Sequence, residues 1–123
     1  MNRVDRPLFG VIAALVGSLV AFGGLVTETH ASNGAEEAGK QVAFTRSKGN
    51  CLACHMIPGG ESPGTIGPPL VAMKARYPDK AKLRAQIWDP TIANPETSMP
   101  PFGRHEILSE EEIDQLVEFI WAQ

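Results

Sequence analysis

The last part of the chain alternates apolar and polar positions with a helical period. Ser109 is followed three positions later by Glu112, the spacing of a capping box. Acidic residues fill the first turn, where the helix dipole favours negative charge, so Glu110, Glu111 and Glu112 are interpreted as capping residues and not as catalytic acids. The pattern predicts a C-terminal amphipathic helix. Its apolar face comprises Ile113, Leu116, Val117, Ile120 and Trp121.

Weaker patterns predict three shorter helices before this one. Residues 36–47 carry small and apolar residues on one stripe, and residues 70–75 can form a short helix. Residues 80–88 follow Asp79, which is a suitable N-cap. No strand pattern of useful length is visible, so we expect an all-α fold.

Two segments are too rich in glycine and proline to form regular structure. They are residues 57–70 and residues 89–103. Loops of this length bury little apolar surface by themselves. We therefore expect them to wrap around something other than their own side chains.

The N-terminal segment has the pattern of an export signal. Residues 8–26 contain no charged side chain, and Arg3 and Arg6 precede them. Together with the small residues that end at Ala31, this pattern is typical of a secretory signal peptide cleaved after Ala31. An uncleaved membrane anchor is the alternative, because the uncharged stretch could just span a bilayer. Either outcome places the folded domain outside the cytoplasm, and we expect the periplasm.

Composition limits what the rest of the chain can be. Of 123 residues, the signal peptide takes 1–31 and leaves 32–123 as one domain of about 90 residues, a size at which a core of side chains alone is marginal. Two cysteines exclude a disulfide-dense scaffold. A net charge of −3 without a basic run disfavours nucleic-acid binding. We therefore expect some other feature to stabilise the domain in addition to its side-chain core.

The strongest chemical signal is the run Cys51-Leu52-Ala53-Cys54-His55. C-x-x-C-H is the attachment signature of a c-type haem. Two thiols at this spacing can add to the two vinyl groups of one porphyrin, and His55 can then reach the iron from the proximal side. A redox C-x-x-C would need a βαβ setting, and zinc would need two more ligands. The sequence predicts one covalently bound haem c.

A haem iron takes a sixth ligand unless it binds substrate, and four residues are candidates: Met56, Met73, Met99 and His105. Met56 adjoins the proximal ligand and cannot reach the opposite face of the ring. Met73 lies in an apolar stretch typical of core. Met99 lies in a loop that prolines stiffen, which helps to hold a weak thioether ligand. We predict Met99 as the distal ligand, with His105 as the alternative.

Pro68 is predicted to orient the proximal histidine. Ligating histidines usually donate their second ring N–H to a carbonyl, which fixes the ring. The carbonyl of Pro68, in Gly67-Pro68-Pro69-Leu70, is the natural acceptor for His55. The alternative is that the two prolines only stiffen the loop.

These motifs together resemble a known family. CLACH, GPPL, SMPPFG and the C-terminal amphipathic helix resemble a class I cytochrome c domain. Within that class the chain is similar to SoxX, the small monohaem subunit of the SoxAX cytochrome complex of sulfur oxidation, over about residues 35–123. The segments that carry this resemblance are FTRSKGNCLACH (44–55), IGPPL (66–70), MKARYPDKAKLRAQIW (73–88) and residues 99–113.

The resemblance implies a class I cytochrome c fold and a periplasmic heterodimer with a SoxA-type cytochrome. It implies that the complex joins thiosulfate oxidatively to a cysteine of the carrier protein SoxYZ, and that the SoxX subunit passes the electrons to a downstream cytochrome c acceptor. Carried over, Cys51 and Cys54 are the thioether anchors, His55 is the proximal ligand and Met99 is the distal ligand. The sulfur chemistry would occur at the SoxA haem.

Two other functions remain open from the sequence. One is a free-standing periplasmic electron carrier that serves a terminal oxidase, and the other is an enzyme with an open haem site. The chain has no candidate nucleophile, because both cysteines are assigned to haem, so we expect a non-catalytic electron-transfer subunit. Membrane contact is expected only through an uncleaved signal segment.

The middle of the chain carries a basic segment with two interpretations. It is either a solvated helix face or a docking surface for an acidic partner. The residues are Lys74, Arg76, Lys80, Lys82 and Arg84.

Overall fold

The structure is a computed structural model, and it describes residues 28–123. The apolar part of the predicted signal peptide, residues 8–26, lies outside the described residues. Residues 28–123 contain no β-strand, which confirms the all-α prediction. The four helices are α1 (Glu28–Phe44), α2 (Met73–Arg76), α3 (Lys80–Trp88) and α4 (Glu110–Trp121), and two 3-10 turns lie at Cys51–Ala53 and Pro90–Ile92.

The two helices with clear N-caps form where the sequence predicts them. The Asp79 carboxylate accepts a hydrogen bond from the backbone N–H of Ala81 at 2.8 Å, and α3 begins at the next residue after Asp79. At α4 the capping box is complete. The Ser109 hydroxyl accepts from the N–H of Glu112 at 3.2 Å, and the Glu112 carboxylate accepts from the N–H of Ser109 at 3.0 Å.

α1 differs from its prediction of residues 36–47 at both ends, since it begins at Glu28 and ends at Phe44. The helix stops at Phe44 because the chain folds back into a turn, in which the Thr45 carbonyl accepts from Lys48 and Asn50. Asn50 completes the turn in the left-handed conformation with φ of 47°. Lys48 then pairs with Glu112 at the start of α4. The turn delivers the chain to the C-x-x-C-H run.

α2 begins later than its prediction of residues 70–75. The loop before it is held beside the C-x-x-C-H run by two backbone hydrogen bonds, from Gly67 to the Cys54 carbonyl and from Leu70 to the Met56 carbonyl, each 2.8 Å long. The start of α2 is set by Ala72, which has a left-handed φ of 52° and cannot belong to a right-handed helix. The backbone N–H of the next residue, Met73, donates to the Gln123 carbonyl at 2.9 Å.

The core is the crossing of α1 and α4. Ala43 and Ile113 are fully buried there, and the Phe44 and Phe119 rings meet edge to face with 5.7 Å between centroids. Gly39 makes the close approach possible, because a Cβ at this position would lie 2.0 Å from the Gln115 carbonyl oxygen. The predicted apolar face of α4 is buried, except that Trp121 is half-buried.

Two of the five residues of the basic segment, Lys80 and Arg84, form ion pairs within the chain. Lys80 pairs with Glu118 at 2.6 Å, and Arg84 pairs with Asp114 at 2.6 Å and Glu110 at 3.2 Å. These pairs join α3 to α4 along the surface. Neither sequence interpretation anticipates that the acidic face of α4 neutralises these two cations.

Within residues 28–123, no helix combines the length and the apolarity that a membrane crossing requires.

We predict opposite effects for two glycine-to-alanine substitutions in α1. Gly39→Ala places a methyl group against the α4 backbone and should lower the free energy of unfolding by about 1–3 kcal/mol or more. Gly34→Ala is the matched control, since nothing lies within 4 Å of its Cβ and alanine favours helix by up to about 1 kcal/mol. Urea unfolding followed by far-ultraviolet circular dichroism measures both. Equal stability of the two variants would contradict the close crossing.

Candidate functional site

One cavity of about 420 Å³ lies between the C-x-x-C-H run and the second glycine- and proline-rich loop. Its volume is within the range of about 300–1,000 Å³ that is usual for small-molecule and cofactor sites. α2, α3 and α4 contribute apolar side chains to its wall, among them Met73, Leu83 and Leu116. All five predicted site residues line this cavity: Cys51, Cys54, His55, Pro68 and Met99.

The two cysteines lie on a tight 3-10 turn. Cys54 and His55 both donate backbone hydrogen bonds to the Cys51 carbonyl, at 3.2 and 2.9 Å, so the turn presents both thiols and the imidazole together. The cysteines are free thiols. Burial in the apolar wall, with a smaller effect of Cys54, raises the pKa of the Cys51 thiol to about 11, and the thiol is neutral at physiological pH.

The His55 ring is fixed by the loop that passes beside it. Its Nδ1 lies 2.7 Å from the Pro68 carbonyl oxygen, which can only accept. With Nδ1 donating its proton to this carbonyl, Nε2 keeps a lone pair for a metal ion. Gly67 packs against the ring, because a Cβ there would lie 2.3 Å from Cε1.

Arg76 braces the same loop through a contact that the sequence does not indicate. Its Nη1 donates to the Pro69 carbonyl at 2.7 Å, one residue after the acceptor for His55. The spacing between Arg76 and Pro69 has no motif that would have indicated the contact. The two prolines therefore do more than stiffen the loop, since each carbonyl accepts a side-chain hydrogen bond.

Two of the four candidate distal ligands reach the cavity. Met56 and His105 are exposed and do not line it. Met73 lines it but is 1% exposed, and its sulfur accepts from Arg76 at 3.4 Å, so this thioether is engaged in the core. Met99 is half-buried in the loop, and its backbone N–H donates to the Thr97 hydroxyl at 3.2 Å.

The donor set fits haem c. Two free thiols at the spacing of the attachment motif, an imidazole with Nε2 available and a thioether all line one mostly apolar cavity, and these are the groups that hold haem in c-type cytochromes. A zinc site needs more ligands, and nowhere in residues 28–123 do three His, Cys, Asp or Glu side chains come together to hold a metal ion.

Comparisons with known proteins agree with this chemistry. The model of the family described as cytochrome c oxidase, cbb3-type, subunit III matches residues 35–120, which include every residue placed at the cavity. Among solved structures, the chain is similar to the crystal structure of SoxXA from P. pantotrophus. The similarity has 30% sequence identity and a TM-score of 0.62, and it covers 69% of this chain and 78% of that chain. No curated protein matches the chain significantly.

We predict that Gly67→Ala weakens the bond between His55 and a bound haem iron. The added methyl group would displace the ring from the Pro68 carbonyl, and loss of such a partner weakens metal affinity by roughly 10- to 100-fold. Protons compete with iron for Nε2. A tenfold loss of iron affinity therefore raises the midpoint of acid-induced histidine release by about one pH unit. Soret absorbance of the ferric protein during acid titration measures this midpoint.

The matched control is Thr65→Ala, an exposed position in the same loop that leaves the glycine in place. Its midpoint should equal that of the wild type. A midpoint for Gly67→Ala that also equals the wild-type value would show that the close approach does not position His55.

Proposed function

Because the chain belongs to the cytochrome c family matched above and is a SoxX-type cytochrome, we propose that it is the electron-transfer subunit of a periplasmic SoxAX-type complex. Its fold is a cytochrome c fold, and a domain of this family binds haem c covalently. Cys51, Cys54 and His55 fit the attachment motif. We further propose that the chain carries a single haem, held by this one motif.

The observation that carries the proposal is the convergence of the donors on one cavity. Met99 lies far from the C-x-x-C-H run in the sequence, yet it lines the same cavity as Cys51, Cys54 and His55. Met99 is 44 residues after His55, so its arrival there depends on the fold and not on local sequence. The similarity to the structure of SoxXA supports the assignment to a SoxAX-type complex.

The side chains of this chain would bind and shield the cofactor. Haem, when bound, supplies a one-electron iron couple. The Cys51 and Cys54 thiols would hold the porphyrin, and His55 Nε2 and the Met99 sulfur would be ligands of the iron. A thioether raises the reduction potential of the iron, and two protein ligands leave no position for substrate. This coordination suits electron transfer and disfavours an enzyme with an open haem site.

We propose the partners from the same family relationship. A SoxA-type cytochrome would form the heterodimer and carry out the oxidative conjugation of thiosulfate to a SoxYZ cysteine. The described residues of this chain would receive the electrons and pass them to a downstream cytochrome c. Export by a signal peptide cleaved after Ala31 would place this chain in the periplasm.

We predict that Met99→Ala removes the weak absorption band, near the red end of the visible spectrum, that marks a bond between methionine sulfur and ferric haem iron. Met73→Leu is the control, because its side chain also lines the cavity but its sulfur is engaged by Arg76. The control should keep the band at full intensity. Absorption spectra of the oxidised proteins measure both. A band that survives in Met99→Ala and disappears in Met73→Leu would reverse the ligand assignment.

We predict that tagged protein from cells grown on thiosulfate co-purifies with a second c-type cytochrome in equal amount. Haem staining and the intact masses of both chains measure the ratio, and the mass of this chain also distinguishes cleavage after Ala31 from a retained anchor. Purified protein with the SoxA-type and SoxYZ partners should release electrons to an acceptor when thiosulfate is added. A lone monomer that gives no such release would favour the free-standing carrier instead.

A further inference from the structure

A second polar cluster lies at the base of the methionine loop, which we define as residues 89–104. Asp89 is the only charged residue that is buried within residues 32–123, with 6% exposure. One carboxylate oxygen accepts from the backbone N–H of Thr91 at 3.1 Å and from its hydroxyl, and the other accepts from Arg104 at 3.2 Å. These hydrogen bonds, with those from Thr91 the stronger, hold the pKa of Asp89 below its ordinary value, so the group is ionised at neutral pH.

The cluster joins the two ends of the methionine loop. Asp89 and Arg104 are fifteen positions apart, yet their side chains form an ion pair. Beside them the Trp88 carbonyl accepts from the backbone N–H groups of Gly103 and Arg104, at 3.1 and 3.2 Å. Gly103 lies flat against the Trp88 ring, where a Cβ would come within 2.1 Å of a ring carbon. The methionine loop is therefore an Ω-loop. We call the contacts of Trp88 and Asp89 with Gly103 and Arg104, which hold its two ends together, the neck of the loop.

The backbone of the methionine loop has little conformational freedom. Prolines restrict the backbone at four positions, Pro90, Pro95, Pro100 and Pro101. The hydroxyl of Thr97 holds the backbone of Met99. A stiff loop transmits the position of its ends to its middle, so opening the neck would move Met99 relative to the cavity.

The burial of Asp89 indicates that this ion pair differs from the others. A buried carboxylate lowers the stability of the fold unless it is fully hydrogen-bonded. An exposed pair such as that of Arg84 with Asp114 stabilises the fold only slightly, but it carries no such cost. Removing one partner of the buried group leaves the other unsatisfied. The neck is therefore more sensitive to substitution than the pairs between α3 and α4.

We propose that Asp89, Thr91 and Arg104 form a clasp that positions Met99 at the cavity, and that this clasp determines how well the protein keeps competing ligands from the distal side of the iron. The inference rests on the proposed function, in which the Met99 sulfur is the distal ligand. None of the three residues lines the cavity. They act through the loop as positioning residues.

The test is the affinity of the ferric holoprotein for imidazole, which must displace Met99 to reach the iron. Imidazole binds only the open form, so its apparent dissociation constant falls as the open fraction rises. Asp89→Asn, Arg104→Gln and Thr91→Val each remove part of the clasp, and Thr91→Val keeps the side-chain shape. We expect each to bind imidazole about five- to tenfold more tightly than the wild type. Arg104→Lys, which keeps the charge, should restore most of the wild-type value.

The matched control is Asp114→Asn, which makes the same chemical change in an exposed ion pair outside the loop. Its imidazole affinity should stay at the wild-type value, while urea unfolding reports the global stability of every variant. Equal affinities for all variants and wild type would overturn the clasp, and so would an equal gain in Asp114→Asn and Asp89→Asn. If Asp89→Asn does not fold, Arg104→Gln and Thr91→Val decide between the same outcomes.

The same series separates this inference from the function proposed above. If the wild type lacks the methionine–iron absorption band, the ligand assignment fails and the clasp fails with it. If the wild type shows the band and the clasp variants bind imidazole like the wild type, only the clasp is wrong.

Discussion

The structure depends on the crossing of α1 and α4. Gly39 lets the α1 backbone approach that of α4, and the side chains of Ala43 and Ile113 fill the contact without leaving exposed surface. α1 leads directly into the turn that carries Cys51, and α4 begins a few residues after the methionine loop. The crossing therefore sets the distance between the two walls of the cavity. A shift of either helix would move the thiols and the Met99 thioether relative to each other.

Local signals in the sequence explain the parts of the fold that are predictable. Asp79 and Ser109 are side chains whose capping bonds form within three residues, so the starts of α3 and α4 follow from short stretches of sequence. The C-x-x-C-H run likewise indicates its chemistry without any tertiary information. The end of α1 was misplaced because a local turn, in which the Thr45 carbonyl accepts from Lys48 and Asn50, interrupts the helix where the apolar pattern would allow it to continue. The start of α2 was misplaced because it depends on the left-handed conformation of Ala72 and on a hydrogen bond from Met73 to the distant Gln123 carbonyl.

The same distinction applies to the site. The sequence places His55 and the Pro68 carbonyl together through a known preference of ligating histidines, and the 2.7 Å separation of Nδ1 and the oxygen agrees with that geometry. It does not indicate Arg76 on Pro69, the fit of Gly67 against the ring, or the neck formed by Asp89 and Arg104. Each of these contacts depends on how side chains fit together or on how a long loop folds. No spacing of residues in the sequence indicates such contacts.

The pairing of α3 with α4 has a consequence for how this protein meets others. Lys80 lies 2.6 Å from one carboxylate and Arg84 lies 2.6 and 3.2 Å from two, so neither cation acts as a lone positive charge at a distance. Such a surface exerts little long-range attraction on an approaching acidic molecule, and its association rate depends weakly on ionic strength. Carriers that exchange partners in solution gain from fast, steered encounters. Because Lys80 and Arg84 pair with the acidic face of α4, this part of the surface contributes little to such steering.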